Sequence, residues 1–194
     1  MTTIFTSDTA DDSFLFLDKA NEILNMSLLK IKDFTFRICE IEFYKYSADH
    51  RDDYVHKNKE QMKKGFYFHK YKNGTLKSGK YKGLDITYGE VGIYYGVLIR
   101  AIYDIDKDIY VEGPCKTVNY IMEKLDLNVI SEIAKLQDES SIISIVGCDN
   151  LQKEQIKCGP RIGLSDKYPM FKNKHYRYVI MDKVKKDKGS LQAL

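Results

Sequence analysis

Phe34, Phe36, Ile38, Glu40, Glu42 and Tyr44 occupy every second position of F-T-F-R-I-C-E-I-E-F-Y, so an extended chain carries all six on one face. Three hydrophobes run into two carboxylates on a row that a core should keep apolar. The rest of the chain reads more simply. Phe16, Leu17, Ala20, Ile23 and Leu24 recur at 3.6-residue spacing behind Ser13, which predicts a capped helix continuing toward Met26 and Leu28. The segment from Ser47 to Gln61 is too charged for a core strand. Asn73-Gly74 signals a hairpin, and V-L-I-R-A-I-Y from Val97 reads as a strand by its β-branched content.

Glu112-Gly113-Pro114 ends that unit and starts a helix with Val118, Ile121, Met122 and Leu125 on one face. A second short helix is expected over Ile130 to Leu136, and strands over Ser141 to Val146 and Tyr176 to Met181. Strands come in clusters without regular βαβ alternation. The expectation is therefore an α+β fold, a single domain with a curved, mostly antiparallel sheet and helices packed around it. A flexible N-terminus over 1–12, the domain over 13–182 and a basic flexible tail over 183–194 complete the division.

The length of 194 residues and 43% hydrophobic content suffice for a core without disulfides. A net charge of +3 names no partner, but its distribution is uneven. Nine lysines and one acid, Glu60, lie between Lys57 and Lys82, interleaved with Phe66, Tyr67, Phe68, Tyr71 and Tyr81. Such a run is either a solubilising surface or a surface for phosphates and stacked bases. Lys77, Ser78 and Lys80 are its candidate nucleic-acid contacts. Cys39, Cys115, Cys148 and Cys158 form no C-x-x-C and read as reduced thiols. No metal or small-molecule cofactor is expected. The start has no secretory pattern and no apolar run suits a bilayer, so the expected protein is soluble, intracellular and monomeric, without membrane partners.

The dinucleotide, phosphate-loop, nucleophile-elbow and zinc-protease signatures are absent. Arg100 interrupts V-L-I-R-A-I and would be costly to bury without an anion, for which Glu40 or Glu42 is available. A guanidinium beside a carboxylate is either a structural pair or a holder for an activated water. His56, taken alone, reads as a surface or capping histidine.

The order of several short motifs adds to this. E-I-E-F-Y from Glu40, D-x-x-x-H from Asp52 to His56, V-L-I-R-A from Val97, G-P-C-K from Gly113 and R-I-G-L from Arg161 together resemble the alkyladenine, or 3-methyladenine, DNA glycosylase family. A-N-E-I-L-N-M-S-L-L-K from Ala20 and the late Y-R-Y-V-I are similar to that family's opening helix and closing strand. The resemblance spans roughly Ala20 to Ile180. It implies hydrolysis of the bond between a damaged or alkylated purine and deoxyribose, on a nucleotide flipped out of DNA. Under it Glu42 is the general base, Arg100 positions the water, Tyr44 stacks on the base and His56 faces it from the other side. Asp85 falls where the family has an asparagine at the purine edge. Ungapped alignment of Gly65 to Asp85 puts Ser78 at the intercalating position and Thr75 at the pocket position.

The leading expectation is thus a DNA N-glycosylase of base-excision repair, acting on duplex or single-stranded DNA and nuclear or nucleoid-associated if DNA is its substrate. A catalytically impaired nucleic-acid-binding or structural protein of the same fold is the second reading. An N-glycosidase of single strands or free nucleosides is the third.

Overall fold

The computed structural model describes residues 12–137, 142–180 and 191–194. In chain order the elements are α1 (Ser13–Asn25), β1 (Ser27–Ile31), β2 (Phe34–Tyr46), β3 (Lys64–Phe68), β4 (Leu84–Tyr88), β5 (Tyr94–Asp104), β6 (Ile109–Glu112), α2 (Pro114–Lys124), α3 (Ile130–Gln137), β7 (Ile143–Gly147), β8 (Lys157–Gly159), α4 (Pro169–Lys172), β9 (Arg177–Val179) and β10 (Gln192–Ala193). The fold is α+β. Every strand pairing is antiparallel, in the order β10-β8-β9-β2-β5-β4-β3, with β1 joining β2 to β7 and β6 alongside β5. The curvature of the sheet is not strong.

α1 starts where its apolar spacing begins, with Asp12 rather than Ser13 in the capping position. It stops at Asn25, earlier than the expected run to Leu28, because S-L-L-K-I alternates and buries Ser27, Leu29 and Ile31 as strand β1. Ser27 helps close the helix by donating its hydroxyl to the Glu22 carbonyl at 2.8 Å. The short strands β1, β6, β8 and β10 went unread in the sequence, being too short or too mixed for a period to show. Two residues of the expected flexible tail, Gln192 and Ala193, pair with Cys158 and Lys157. Ser141, Met181 and residues 183–190 lie outside the described residues, as does 1–11 of the expected N-terminal segment.

β2 is the spine. Its odd positions face α1, where Phe16 stacks on Phe43 with ring centroids 4.6 Å apart and meets Tyr176 edge-on at 4.8 Å. Each such buried aromatic contributes about 1.5–3 kcal/mol of burial free energy. Its even positions face α2 at first. Phe36 meets Tyr120 edge-on at 6.3 Å, and Asp104, the β5 partner of Phe36, accepts from Tyr120 and pairs with Lys124.

The same face then changes character because α2 ends. Its N-terminus sits over Arg100, whose carbonyl accepts the Gly113 N–H at 2.7 Å. Gly113 has φ 106°, a conformation in which a side chain would be strained. Beyond this point the segments 47–63 and 160–172 take over from α2, with Ile162 donating its backbone N–H to Glu42, Arg161 pairing with Asp52, and Gln61 reaching Asp85. Loop backbone and polar side chains supply hydrogen-bond partners there, which is why acids can follow hydrophobes on one row.

Candidate functional site

Glu40, Glu42 and Tyr44 enter this loop-covered layer from consecutive even positions of β2, and Arg100 enters from β5. The β2–β5 register is irregular on both sides of Glu40, so the ladder loosens where Glu40 and Arg100 meet. Arg100 donates its Nε–H to Glu40 Oε1 at 2.8 Å and places Nη1 3.3 Å from Glu42 Oε1. Arg177 on β9, paired with Glu42 in register, brings its Nε to 3.0 Å from Glu40 Oε1. Burial pushes the Glu40 pKa up despite the two arginines, of which Arg100 is the stronger counterweight.

Glu42 is fully buried. Its Oε1 also accepts the Ile162 backbone N–H at 2.7 Å, and its Oε2 accepts the Tyr44 hydroxyl at 2.9 Å. An ionised carboxylate offers about four lone-pair sites, so three donors leave one, on Oε2. The Tyr44 hydroxyl is held well above its ordinary pKa, by burial first and by the Glu42 charge next.

Arg161 backs the site from beneath. Its guanidinium carbon lies 4.5 Å from the centroid of Tyr44 and 5.5 Å from those of Tyr54 and Tyr176. Nη1 donates to Asp52 Oδ2 at 2.5 Å and to the Phe43 carbonyl at 3.0 Å, and Nη2 to the Phe171 carbonyl at 3.2 Å. Both side chains of the Arg161–Asp52 pair are inaccessible to solvent. One ring face of Tyr44 is therefore taken by the protein itself.

A second group adjoins the first. Gly96 is the β5 partner of Tyr44, and Asp85, two strands from Glu42 through Leu98, puts its carboxylate over Gly96. Asp85 Oδ1 pairs with His69 Nε2 at 2.7 Å, and Oδ2 accepts from Gln61 at 3.3 Å. His56 lies edge-on to His69 with centroids 4.5 Å apart, 3.4 Å from the Tyr67 hydroxyl through Nδ1 and 3.0 Å from Lys77 Nζ through Nε2. Although His56 is exposed over part of its surface, loss of solvent around the ring, then the neighbouring His69, lowers its pKa to about 4. Burial likewise lowers the Lys77 ammonium.

The structure thus brings Glu42, Arg100 and Tyr44 together. It sets His56 against His69, Tyr67 and Lys77, at the far side of Asp85 from Tyr44. Lys77 is half-buried on His56, whereas Ser78 and Lys80 are exposed on the 69–83 loop. Ser78 precedes a short 3-10 turn, and Thr75 is bound to Asn73 at 2.7 Å, so neither offers an aromatic surface. Tyr81, 58% exposed, and Tyr71, 41% exposed, are the aromatics that this loop presents.

Arg161, Asp52, Arg177, His69 and Gln61 had no assigned role in the sequence. Arg177 carried the same signal as Arg100, a guanidinium inside an apolar strand, and Asp52 and Arg161 stood in two of the quoted motifs. Gln61 and His69 gave none, since their roles come from Asp85. Among the described residues, no group of three or more His, Cys, Asp or Glu side chains is placed to hold a metal ion. No described helix is long and apolar enough to cross a membrane.

No protein-family model matches the chain. It is 36% identical over 208 residues to a protein of Acanthamoeba polyphaga mimivirus described as "Uncharacterized protein L759", an alignment covering 97% of this chain and 95% of the viral one. With that identity along nearly its whole length, the chain belongs to the family of this mimivirus protein.

Proposed function

We propose that the protein is a DNA N-glycosylase that hydrolyses the bond between a damaged purine and deoxyribose on an extruded nucleotide. The observation that carries this reading is the setting of Glu42, a carboxylate fixed by Arg100, the Ile162 N–H and the Tyr44 hydroxyl, with one lone pair on Oε2 left for a water. In the reaction that water attacks the anomeric carbon and passes its proton to Oε2, while the electrons of the breaking C–N bond leave with the base. Arg100 keeps the carboxylate oriented, and the ring of Tyr44 stacks on the base. The basic 57–82 segment supplies charge for the DNA backbone.

The test is release of free base from duplex and single-stranded oligonucleotides carrying hypoxanthine, ethenoadenine or 3-methyladenine. Wild-type protein releases base, and Glu42→Gln binds the same DNA but does not.

A second reading is favoured by the complete burial of Glu42 and by Ser78 and Thr75 standing where an aromatic wedge and gate would be needed. In it the protein holds nucleic acid without cleaving the glycosidic bond. Salt-sensitive binding with no base release from any of these substrates would establish this second role and exclude the first.

A further inference from the structure

The 69–83 segment folds back on itself as a small hairpin that turns at Asn73-Gly74. Tyr71 donates its N–H to the Thr75 carbonyl and Lys77 donates its own to the His69 carbonyl, both at 2.8 Å. His69 donates in turn to the Gly83 carbonyl at 3.0 Å, and a Cβ on Gly83 would stand 2.6 Å from His69 Nδ1, so the missing side chain lets the segment close over that ring. Lys77 is thereby held opposite His69 and lays its ammonium on the neighbouring imidazole, 3.0 Å from His56 Nε2. Tyr67, Asp85, Leu98 and Glu42 are successive cross-strand partners on β3, β4, β5 and β2, so they stand in one row on one face. The Tyr67 hydroxyl lies 3.4 Å from His56, which places Lys77 over the same face as Glu42, at the β3 end of that row.

Lys77 differs from other lysines of the basic segment. Lys57 and Lys63 each hold a carboxylate at 2.7 Å, of Asp53 and Glu60, and Lys82 holds the Asn119 amide oxygen at 2.8 Å. Lys77 is half-buried, and the hydrogen-bond partner of its ammonium among the described residues is an imidazole. His56, with its pKa at about 4, is neutral at neutral pH and has one lone pair to offer. An ammonium has only hydrogens to give, so that lone pair sits on Nε2 and faces Lys77. Burial without a paired anion favours the free amine, and the Lys77 pKa falls below its ordinary value with Asp85 as the opposing charge. A half-buried amine beside a proton acceptor is a nucleophile suited to a carbonyl carbon.

We propose that Lys77 forms an imine with the aldehyde of an abasic deoxyribose and through it cleaves the DNA strand on the 3′ side of that sugar. This activity goes beyond the glycosylase reading, because its substrate has already lost its base. The Lys77 nitrogen attacks C1′ of the ring-opened sugar, a C=N bond replaces the C=O bond, and the aldehyde oxygen leaves as water with two of the ammonium hydrogens. The resulting protonated imine acidifies C2′. That carbon loses its proton to solvent, the freed electrons form the double bond between C2′ and C3′, and the C3′–O bond breaks with its electron pair on the 3′ phosphate. One water then hydrolyses the imine, returning the Lys77 ammonium and an unsaturated aldehyde, so no oxidant or reductant takes part.

The experiment uses duplex DNA with a preformed abasic site, made by enzymatic removal of uracil, and sodium borohydride to reduce the imine to a stable amine link. Wild-type protein should give a covalent protein–DNA adduct, and mass spectrometry of its digest should place the link on Lys77. Without borohydride the strand should break at the abasic site. A duplex with tetrahydrofuran in place of the abasic sugar has no aldehyde and should give neither product. Lys77→Arg keeps the positive charge but forms no imine, and it should lose both adduct and cleavage at protein concentrations that saturate the duplex. No adduct from wild-type protein, an adduct on another residue alone, or an undiminished adduct in Lys77→Arg overturns the inference. The link is mapped on wild-type protein, so the result stands even where the variant fails to fold. Base release without an adduct overturns the inference and leaves the glycosylase reading standing, and an adduct on Lys77 without base release does the reverse.

Discussion

Replacing Arg161 by methionine keeps much of the side-chain length and removes the charge from a site closed to solvent. Three acceptors lose their donor, the Asp52 carboxylate and the carbonyls of Phe43 and Phe171. Breaking a buried ion pair from one side costs about 3–5 kcal/mol, since the remaining charge stays desolvated. Asp52 keeps one other donor, the Tyr54 N–H at 3.1 Å, which argues for the lower end of that range. Each orphaned carbonyl adds about 1 kcal/mol where water cannot reach it. The sum is about 4–5 kcal/mol, which for a domain of this size lowers Tm by roughly 8–20 °C. Urea unfolding with linear extrapolation measures the loss for Arg161→Met, for Asp52→Leu and for the pair. The double variant should lose distinctly less than the sum of the singles, because the second substitution removes the charge that the first left unpaired. A loss below about 1 kcal/mol for Arg161→Met, or strict additivity, would refute the view that this pair anchors the loops over the site.

Gly96→Ala should destabilise by about 1–3 kcal/mol in the same assay, because its methyl overlaps the Asp85 carboxylate and the Gln61 amide. Little change would mean that the His69–Asp85 pair is loosely held. Glu40→Gln takes a carboxylate from between Arg100 and Arg177, and its unfolding should show a loss of about 3 kcal/mol, with a neutral result assigning Glu40 no part in holding them. The His56 pKa is depressed to about 4 in the fold and His50 is shifted the same way, so between about pH 6.5 and pH 4 the unfolded chain takes protons that the folded one refuses. Stability should be full above pH 6.5 and fall through that window as the pH drops. His56→Gln should flatten the fall, and an unchanged pH profile would contradict the loss of solvent around this ring beside His69.

The spine of the fold was legible because period-two alternation runs along β2, β-branched residues mark V-L-I-R-A-I-Y in β5, and 3.6-residue spacing runs through α1 and α2. Short strands were not, since three or four residues carry no measurable period and depend on neighbours far along the chain. Glu42, Arg100 and Tyr44 could be found because each breaks a local rule, charge in an apolar row or strand. His69 and Gln61 break none. What makes them part of the site is the space over Gly83 and Gly96, and that space exists only once β4 lies against β5 and the 69–83 loop folds back. The even row of β2 likewise keeps its alternation throughout, and its change from Phe36 to Glu42 reflects where α2 ends, a fact of tertiary packing.

The central claim is that Glu42 activates water at a glycosidic bond, and single-turnover release of 3-methyladenine from duplex DNA by wild-type and Glu42→Gln protein tests it most directly. Release by the wild type, reduced at least a hundredfold in the variant with DNA binding retained, is the expected result, in line with the usual worth of a positioned general base. Equal release by both proteins, or none by the wild type on any of the modified duplexes, would contradict it.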